Sequence, residues 1–139
     1  MPALQLPDII LFSMLAFEDM DAYKACQELT LAVHQLAQAF EEKDYELSAE
    51  LWSAALVATS RIARGSGFGN RRMFAAAVDR SYAALGEIAY YLNLADGLGL
   101  ITPTDHHRLE SLRGRAVFYT SKLILDLAGL GDDKEKNES

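Results

Sequence analysis

The stretch RIARGSGFGNRR, residues 61–72, has the composition best suited to binding chemistry, because it places four arginines around three glycines. Arginine side chains and free backbone amides together bind phosphate groups. The spacing is G-x-G-x-G, however, without the register or the Lys-Ser/Thr ending of phosphate-binding loops, and a helical pattern precedes it where those loops follow a strand. We therefore interpret residues 61–72 as a corner between two helices. Anion binding by Arg61, Arg64, Arg71 and Arg72 is the alternative.

Residues suited to catalysis or metal binding are few and scattered. A di-iron bundle requires Glu-x-x-His motifs, and no histidine of this chain follows a glutamate at that spacing. His106 and His107 are adjacent on a predicted first helical turn and point about 100° apart, which disfavours a shared metal. His34 flanks an apolar seam and is expected to be an ordinary surface or interface residue. We expect no catalytic residue, no metal and no cofactor, and therefore no enzyme.

Glu87 and Cys26 are the two candidates for buried reactive groups. Glu87 flanks the apolar seam of the third predicted helix, where it is either a buried acid with a raised pKa or, as we prefer, a structural acceptor for an arginine or a tyrosine hydroxyl. Cys26 is the only cysteine, which excludes an intrachain disulfide and fits a reducing compartment. It is expected to act as a small core hydrophobe.

Four blocks of apolar residues at helical spacing must position these side chains. The steps alternate between three and four, which is typical of amphipathic helices, and nothing alternates like a strand. The predicted seams are Cys26, Leu29, Val33, Leu36 and Phe40; Leu47, Leu51, Ala54, Ala58 and Ile62; Phe74, Val78, Ser81, Leu85, Ile88, Leu92 and Ala95; and Leu109, Leu112, Ala116, Tyr119, Leu123, Leu127 and Leu130. Short connections make consecutive helices antiparallel, so the pattern predicts an all-α, up-down-up-down four-helix bundle.

Helix-capping residues agree with these four blocks. Asp44, Asn70 and Thr102 each precede a block and carry a side-chain oxygen that accepts from free amides of a first helical turn. Gly97 and Gly99 follow the third block and suit a left-handed helix end. The caps therefore predict the same boundaries as the apolar spacing.

Length and charge limit the chain to one acidic domain. Its 139 residues include 13 Lys+Arg and 20 Asp+Glu, a formal net charge of −7, which disfavours nucleic acid and anionic lipid as partners of the whole molecule. We predict an N-terminal extension (1–16), the bundle (17–130) and a disordered acidic tail (131–139). The extension is apolar, but it lacks a basic start and is interrupted by Pro7 and Asp8, so we expect neither a signal peptide nor a membrane span.

A second apolar stripe predicts self-association. Trp52 and Leu56 lie beside the main seam of the second helix, and Tyr91 lies beside that of the third. One seam suffices for the core of a four-helix bundle, so a further apolar stripe favours contact with a partner surface. We predict a homo-oligomer in which Trp52, Leu56 and Tyr91 take part.

The bundle topology gives the arginine corner acidic neighbours. It places the start of the first helix, with Glu18, Asp19 and Asp21, at the same end as residues 61–72, and the acidic segment 131–139 follows the fourth helix there. We therefore interpret the four arginines as partners in surface ion pairs, each worth about 0–1 kcal/mol.

Three segments in order resemble a known family. They are FEDMDAYKA (17–25), LSAELWSAALVATSRIARGSGFG (47–69) and LGEIAYYLNLADGLGLI (85–101). Together they resemble the bacterial four-helix-bundle proteins encoded in intervening sequences of 23S ribosomal RNA genes, over roughly residues 17–128. The matching positions include Phe17, Tyr23, Ser60, Ile62, Ala63, Gly65, Leu85, Glu87, Leu92, Ala95 and Gly99. Arg64 departs from the family pattern, which usually has glutamate there.

The resemblance implies a cytoplasmic protein without established enzymatic activity that assembles as a homo-oligomer, with a homopentamer favoured. Related bundle proteins are accessory factors of retroelement reverse transcriptases and engage nucleic acid through basic surface. Two functions therefore remain open. The first is a non-enzymatic, self-assembling scaffold that docks an unknown protein partner. The alternative, which the acidity of this chain disfavours, is a nucleic-acid-binding accessory factor that uses the arginine-rich corner.

Overall fold

The structure, a computed structural model, describes the backbone of residues 17–138 and the side chains of residues 17–129. A short 3-10 helix precedes four α-helices, and no described residue lies in a strand. The elements are the 3-10 helix Phe17–Asp19 and the α-helices α1 (Asp21–Phe40), α2 (Tyr45–Ser66), α3 (Arg71–Gly97) and α4 (Pro103–Glu138). The prediction of four helices is confirmed.

The helices form a closed bundle, in which each helix packs against the next and α4 packs against α1. The helices α1 and α2 run in opposite directions. Ala37 near the end of α1 accepts a hydrogen bond from Ser48 near the start of α2, whereas Thr30, earlier in α1, bonds to Ala55, later in α2. The helices α2 and α3 also run in opposite directions, since Ser81 bonds to Ala58 whereas the earlier Phe74 lies beside the later Gly65. The pairs Cys26–Thr120 and Glu28–Arg115 show the same for α1 and α4. The predicted bundle fold is therefore confirmed.

The predicted seams form the hydrophobic core. Every seam residue of α1, α2 and α3 is buried, and Cys26 is among those without exposed surface, as expected for a small core residue. In α4, Leu112 and Tyr119 are only half-buried, and Leu130 lies outside the described side chains. Burial of a large apolar side chain contributes about 1.5–3 kcal/mol, so the seams account for most of the stabilisation.

The three predicted N-caps are confirmed. Asp44 accepts from the Leu47 amide, Asn70 from the Met73 amide and Thr102 from the Asp105 amide, each at 3.0 Å. At the end of α3, Gly99 has the left-handed φ of 71° that ends the helix, whereas Gly97 is still helical. These caps fix where each helix begins or ends and therefore where each connection between helices lies.

Buried hydroxyl groups connect the helices within the core. The Thr30 hydroxyl lies 2.7 Å from the Cys26 carbonyl oxygen, 3.2 Å from that of Ala55 and 2.6 Å from the Thr59 hydroxyl. Ser81 on α3 donates to the Ala58 carbonyl oxygen of α2. Among the described residues, no buried side-chain nitrogen or oxygen lacks a partner. Every buried hydroxyl in this range is therefore hydrogen-bonded. An unpaired one would cost about 1–3 kcal/mol.

The predicted end segments remain predictions. Residues 1–16, the proposed extension, lie outside the described residues. Helix α4 continues through Glu138 and so enters the segment 131–139 that we predict as an acidic tail, but its side chains from residue 130 are not described. Within the described part of the chain, no helix combines the length and the apolar character that a membrane crossing requires.

Candidate interaction surfaces on the two sides of α2

Helix α2 carries a candidate interaction surface on each of its flanks. The first, the aromatic face, consists of Tyr45, Trp52 and Leu56 of α2 with His34 of α1. The second, the arginine groove, is lined by Arg61, Arg64 and Phe68 from the end of α2 and by Met73, Ala76, Ala77 and Arg80 of α3. A helix turns about 100° per residue, so these positions project to different sides of α2.

The aromatic face contains two of the residues predicted for self-association. Trp52 is half-buried and its indole meets the His34 ring edge-on, with ring centroids 4.9 Å apart. Leu56 is 45% exposed and Tyr45, which the sequence analysis did not single out, is 75% exposed. Beside them, a depression of about 250 Å³ lies between α1 and α2. Large apolar side chains therefore reach the surface together here.

Tyr91, the third residue predicted for self-association, does not join the aromatic face. Its hydroxyl donates to Glu50 Oε2 at 3.4 Å, and Glu50 lies two residues, or about 200°, from Trp52 on α2. The pKa of Tyr91 is raised above its ordinary value, mainly because the phenol is partly buried and secondly because Glu50 and Glu87 are negatively charged. The structure therefore places Tyr91 on the flank of α2 that faces α3.

The arginine groove combines positive charge with exposed apolar side chains. Its volume is about 350 Å³, Phe68 is 40% exposed and Met73 is 51% exposed. Arg61 and Arg64 face Arg80 across the groove. Arg80 was not predicted from the sequence as a site residue. Its signal in the sequence is the spacing of Met73, Ala77 and Arg80, which lie on one face of α3. The structure thus groups three arginines from two helices.

Arg71 and Arg72 are separated from this group. They occupy the first turn of α3 and are not among the residues that line the groove. Between the helices, Gly69 adopts a left-handed φ of 64° and Asn70 caps α3, so residues 67–70 form a tight connection. The interpretation of residues 61–72 as a corner between two helices is confirmed, but its four arginines do not form one cluster.

The acidic neighbours expected for these arginines do not pair with them. Among residues 17–129, the ion pairs are Glu110–Arg113, at 2.8 Å, and Glu28–Arg115, at 3.5 Å. Asp19 and Asp21 instead line a depression between α1 and α4, on another side of the bundle. The predicted pairing with the start of α1 is therefore wrong, because a shared end of the bundle does not place residues on the same side. The positive charge of the groove has no ion-pair partner in this described range.

Gly65 brings the two walls of the arginine groove together. A Cβ atom at this position would lie 2.7 Å from the Cβ of Ala77 and 3.1 Å from Cδ1 of Phe74. The Ala77 Cβ is bonded directly to the backbone of α3 and cannot rotate away, so a larger residue at position 65 would push the helices apart. The close approach of α2 and α3 therefore depends on the absence of a side chain at Gly65.

Glu87 is exposed, so the prediction of a buried acid at this position is wrong. Its neighbour Ile88 belongs to the seam and has no exposed surface. The rotation of about 100° between consecutive helical residues carries Glu87 from the core boundary to the surface of α3. It contributes negative charge near Tyr91 but has no enclosed site around it.

The family resemblance is decided by a sequence profile of the 23S rRNA-intervening sequence proteins, which matches residues 18–115. The chain belongs to this family. The matched range begins in the 3-10 helix, contains α1, α2 and α3 and ends within α4, so both candidate surfaces lie inside the family domain. No curated protein matches the sequence significantly.

Arg64 lies within the range that the profile of the 23S rRNA-intervening sequence family matches, and it lines the groove between α2 and α3. Its charge lies beside those of Arg61 and Arg80 and adds to the positive potential of the groove.

Proposed function

We propose that the protein is a non-enzymatic, self-assembling interaction module of the cytoplasm, in which the aromatic face joins copies of the chain. The observation that carries this proposal is the joint exposure of Tyr45 and Leu56 beside the half-buried Trp52. Aromatic residues are enriched at protein interfaces because they remove large apolar area from water with few rotatable bonds. A second copy would therefore gain free energy by covering this face.

The form of the assembly follows from the placement of the aromatic face on one flank of the bundle. A face that meets a different surface of the next copy generates a ring when the rotation closes. The family resemblance favours a ring of five. The surfaces of α3 and α4 that such contacts leave open would then be repeated around the ring and would present several identical sites to a protein partner.

The proposal is tested by placing a charge on the aromatic face. Leu56→Asp would desolvate a carboxylate on association, so we expect the dissociation constant of the assembly to rise at least tenfold, measured by sedimentation velocity. Trp52 is the only tryptophan, so its fluorescence reports burial of this face directly. A blue shift with increasing concentration, lost in Leu56→Asp, supports the proposal.

Leu125→Asp provides the matched control, because Leu125 is a 70% exposed leucine on α4, away from the aromatic face. We expect this variant to assemble like the unmodified protein. A monomer at tens of micromolar for the unmodified chain, or assembly of Leu56→Asp with the affinity of the unmodified protein, would contradict assembly through the aromatic face.

The second candidate function is nucleic-acid binding at the arginine groove. The observation that favours it is the grouping of Arg61, Arg64 and Arg80 around the exposed Phe68. Arginines neutralise phosphates and an exposed aromatic ring stacks on an unpaired base, which together are typical of single-strand binding. One copy carries few such contacts, but several copies on a ring raise the overall affinity by avidity.

Titration of labelled single-stranded RNA and DNA over a range of salt concentrations tests this second function. Replacement of Arg61 and Arg80 by glutamine should weaken binding and reduce its salt dependence, because fewer counterions are released. Arg72→Gln is the matched control, since Arg72 lies at the same corner but outside the groove. Absence of binding at low ionic strength, or equal effects of both replacements, would eliminate the groove as a nucleic-acid site.

A further inference from the structure

The N-terminal segment of this chain is too apolar to be left in water. Nine of the thirteen residues 4–16 are apolar, and Asp8 is the only charged residue among them. Exposure of such side chains costs about 25 cal/mol per Å² relative to burial. A surface of the protein that offers apolar contact and a countercharge for Asp8 would therefore be favoured as its binding site.

The position of Phe17 shows where this segment joins the bundle. Phe17 begins the 3-10 helix, which packs against α1 and α2, and its ring meets Tyr23 edge-on with centroids 4.9 Å apart. The bundle topology puts this helix at the end where α2 finishes at Ser66 and Phe68 follows. Phe17, to which residues 1–16 are attached, thus lies at the end of the bundle where the arginine groove opens.

We propose that residues 8–12 of the chain dock in its own arginine groove. The apolar side chains of residues 9–12 cover the exposed Phe68 and Met73, and the Asp8 carboxylate faces the groove arginines. Apolar contact supplies most of the attraction. The carboxylate fixes the direction of the segment, because a single exposed ion pair is worth only about 0–1 kcal/mol.

The dimensions of the chain permit this docking. Residues 13–16 can span up to about 13 Å when fully extended, which slightly exceeds the diameter of a helix with its side chains, about 10–12 Å. The segment therefore reaches across the end of α2 to the groove. The groove volume of about 350 Å³ lies within the range of about 300–1,000 Å³ that is usual for binding sites.

Charge distinguishes the arginine groove from the other depressions. The depression between α1 and α4 also opens near Phe17, but three carboxylates, Asp19, Asp21 and Asp126, line it against the single ammonium group of Lys122, so its net negative charge disfavours Asp8. The depression beside the aromatic face is lined by Glu41 and Tyr45, which lie at the opposite end of the bundle, between α1 and α2. Only the arginine groove among these three combines exposed apolar side chains with a net positive charge at the end of the bundle where Phe17 lies.

Disulfide trapping in the full-length chain tests the proposal. Residues 9–12 are replaced in turn by cysteine, for example Ile10→Cys, each together with Met73→Cys. We expect at least one pair to form a disulfide within a single chain at least tenfold faster than the same replacement combined with Leu125→Cys. Leu125 is also an exposed apolar residue, on α4, and Cys26 is buried and does not compete.

The products are identified by non-reducing electrophoresis and mass spectrometry. Equal rates at Met73 and Leu125, or disulfides only between two chains, would overturn docking in the chain's own groove; the second result would identify a neighbouring copy as the occupant. Sedimentation of the same samples reports self-assembly separately, because the docking proposal does not depend on the aromatic face.

A charge variant tests the role of Asp8. In the fastest trapping pair, replacement of Arg61 and Arg80 by glutamine should lower the rate of disulfide formation about threefold or more, whereas Arg72→Gln should leave it unchanged. Circular dichroism verifies that each variant is folded. Trapping that is unaffected by replacing Arg61 and Arg80 would overturn the assignment of these arginines to the Asp8 carboxylate.

Discussion

The two flanks of α2 are joined to their neighbours by different means. On the α1 side, buried hydroxyls connect the helices, with Thr30 bonded to Thr59 and Ser48 to the Ala37 carbonyl oxygen. On the α3 side, the absence of a side chain at Gly65 lets the backbones approach. The exposed surfaces differ as well, since the first flank is aromatic and the second is basic near its end.

This difference teaches that one helix can present two separate surfaces of different chemistry. Residues of the aromatic face and of the arginine groove project from opposite flanks of α2. A partner on one flank therefore leaves the other accessible, and a charge placed on one face has no contact with the other. The variants below disturb one flank at a time and so compare what each flank contributes to stability.

The largest expected effect comes from adding a methyl group to the α2–α3 flank. Gly65→Ala places a Cβ atom within 2.7 Å of the Ala77 Cβ, so the helices must separate. We expect a loss of about 1–3 kcal/mol in the free energy of unfolding, even though alanine favours helix formation by about 1 kcal/mol over glycine. Urea unfolding followed by circular dichroism at 222 nm measures the change.

Gly86→Ala is the control for this prediction. Gly86 lies in the same bundle on α3, and a Cβ atom there meets no atom within 4 Å. Helix propensity then acts alone, so this variant should gain up to about 1 kcal/mol. If Gly65→Ala proves as stable as Gly86→Ala, close approach does not hold the α2–α3 flank together.

A smaller effect is expected from removing a hydroxyl on the α1–α2 flank. Thr30→Val keeps the shape but leaves the Thr59 hydroxyl with the poorer 3.4 Å contact to the Ala55 carbonyl oxygen. We expect a loss of about 1–2 kcal/mol in the free energy of unfolding. Ser60→Ala, at an exposed position of α2, should change it by less than about 0.5 kcal/mol.

The double variant with Thr30→Val and Thr59→Val sharpens this prediction. It removes both hydroxyls, so neither remains without its partner, and the loss should be smaller than the sum of the two single losses. Additive losses in the double-mutant cycle would mean that the 2.6 Å contact between the hydroxyls contributes no coupling.

The smallest effect is expected at Tyr91, on the exposed part of the α2–α3 flank. Tyr91→Phe removes a long, solvent-accessible hydrogen bond to Glu50, so near neutral pH the free energy of unfolding should change by less than about 0.5 kcal/mol. Because the pKa of Tyr91 is raised by burial and then by Glu50 and Glu87, ionising the phenol is harder in the folded state.

The raised pKa of Tyr91 determines whether the free energy of unfolding rises or falls with pH. Any stability from the raised pKa is fully present below the unfolded-state value of 10.0 and is lost as the pH rises through the folded-state value. The unmodified protein should therefore lose stability above about pH 10 relative to Tyr91→Phe. Parallel unfolding midpoints of the two proteins between pH 9 and pH 11 would contradict a raised pKa of Tyr91 in the folded state.

The fold was predictable because apolar spacing alone determines which side of a helix is buried. The seams of α1, α2 and α3 and the caps Asp44, Asn70 and Thr102 are as the sequence indicates. In α4 the prediction is weaker, because Leu112 and Tyr119 lie at the margin of the core. Local periodicity therefore predicts the architecture, and the wrongly predicted burial occurs at the edges of the buried stripe.

The candidate surfaces were only partly predictable because they depend on how two helices are aligned. Trp52 and Leu56 follow from a second stripe within one helix, whereas Arg80 joins Arg61 only through the approach of α3 to α2. The wrong prediction of burial for Glu87 has a different cause. Consecutive helical residues point about 100° apart, so a residue beside a seam can lie either in the core or at the surface. Sequence spacing does not measure that rotation finely enough.

The buried hydroxyl bonds also restrict how α2 can move within the bundle. They join α2 to both of its neighbours at three heights: Ser48 of α2 donates to the Ala37 carbonyl oxygen of α1, and the carbonyl oxygens of Ala55 and Ala58 on α2 accept from Thr30 of α1 and Ser81 of α3. A piston movement of α2 by one helical turn, about 5.4 Å, would break all three at once in a dry interior. Sliding along its own axis is therefore the motion that the core opposes most strongly for α2.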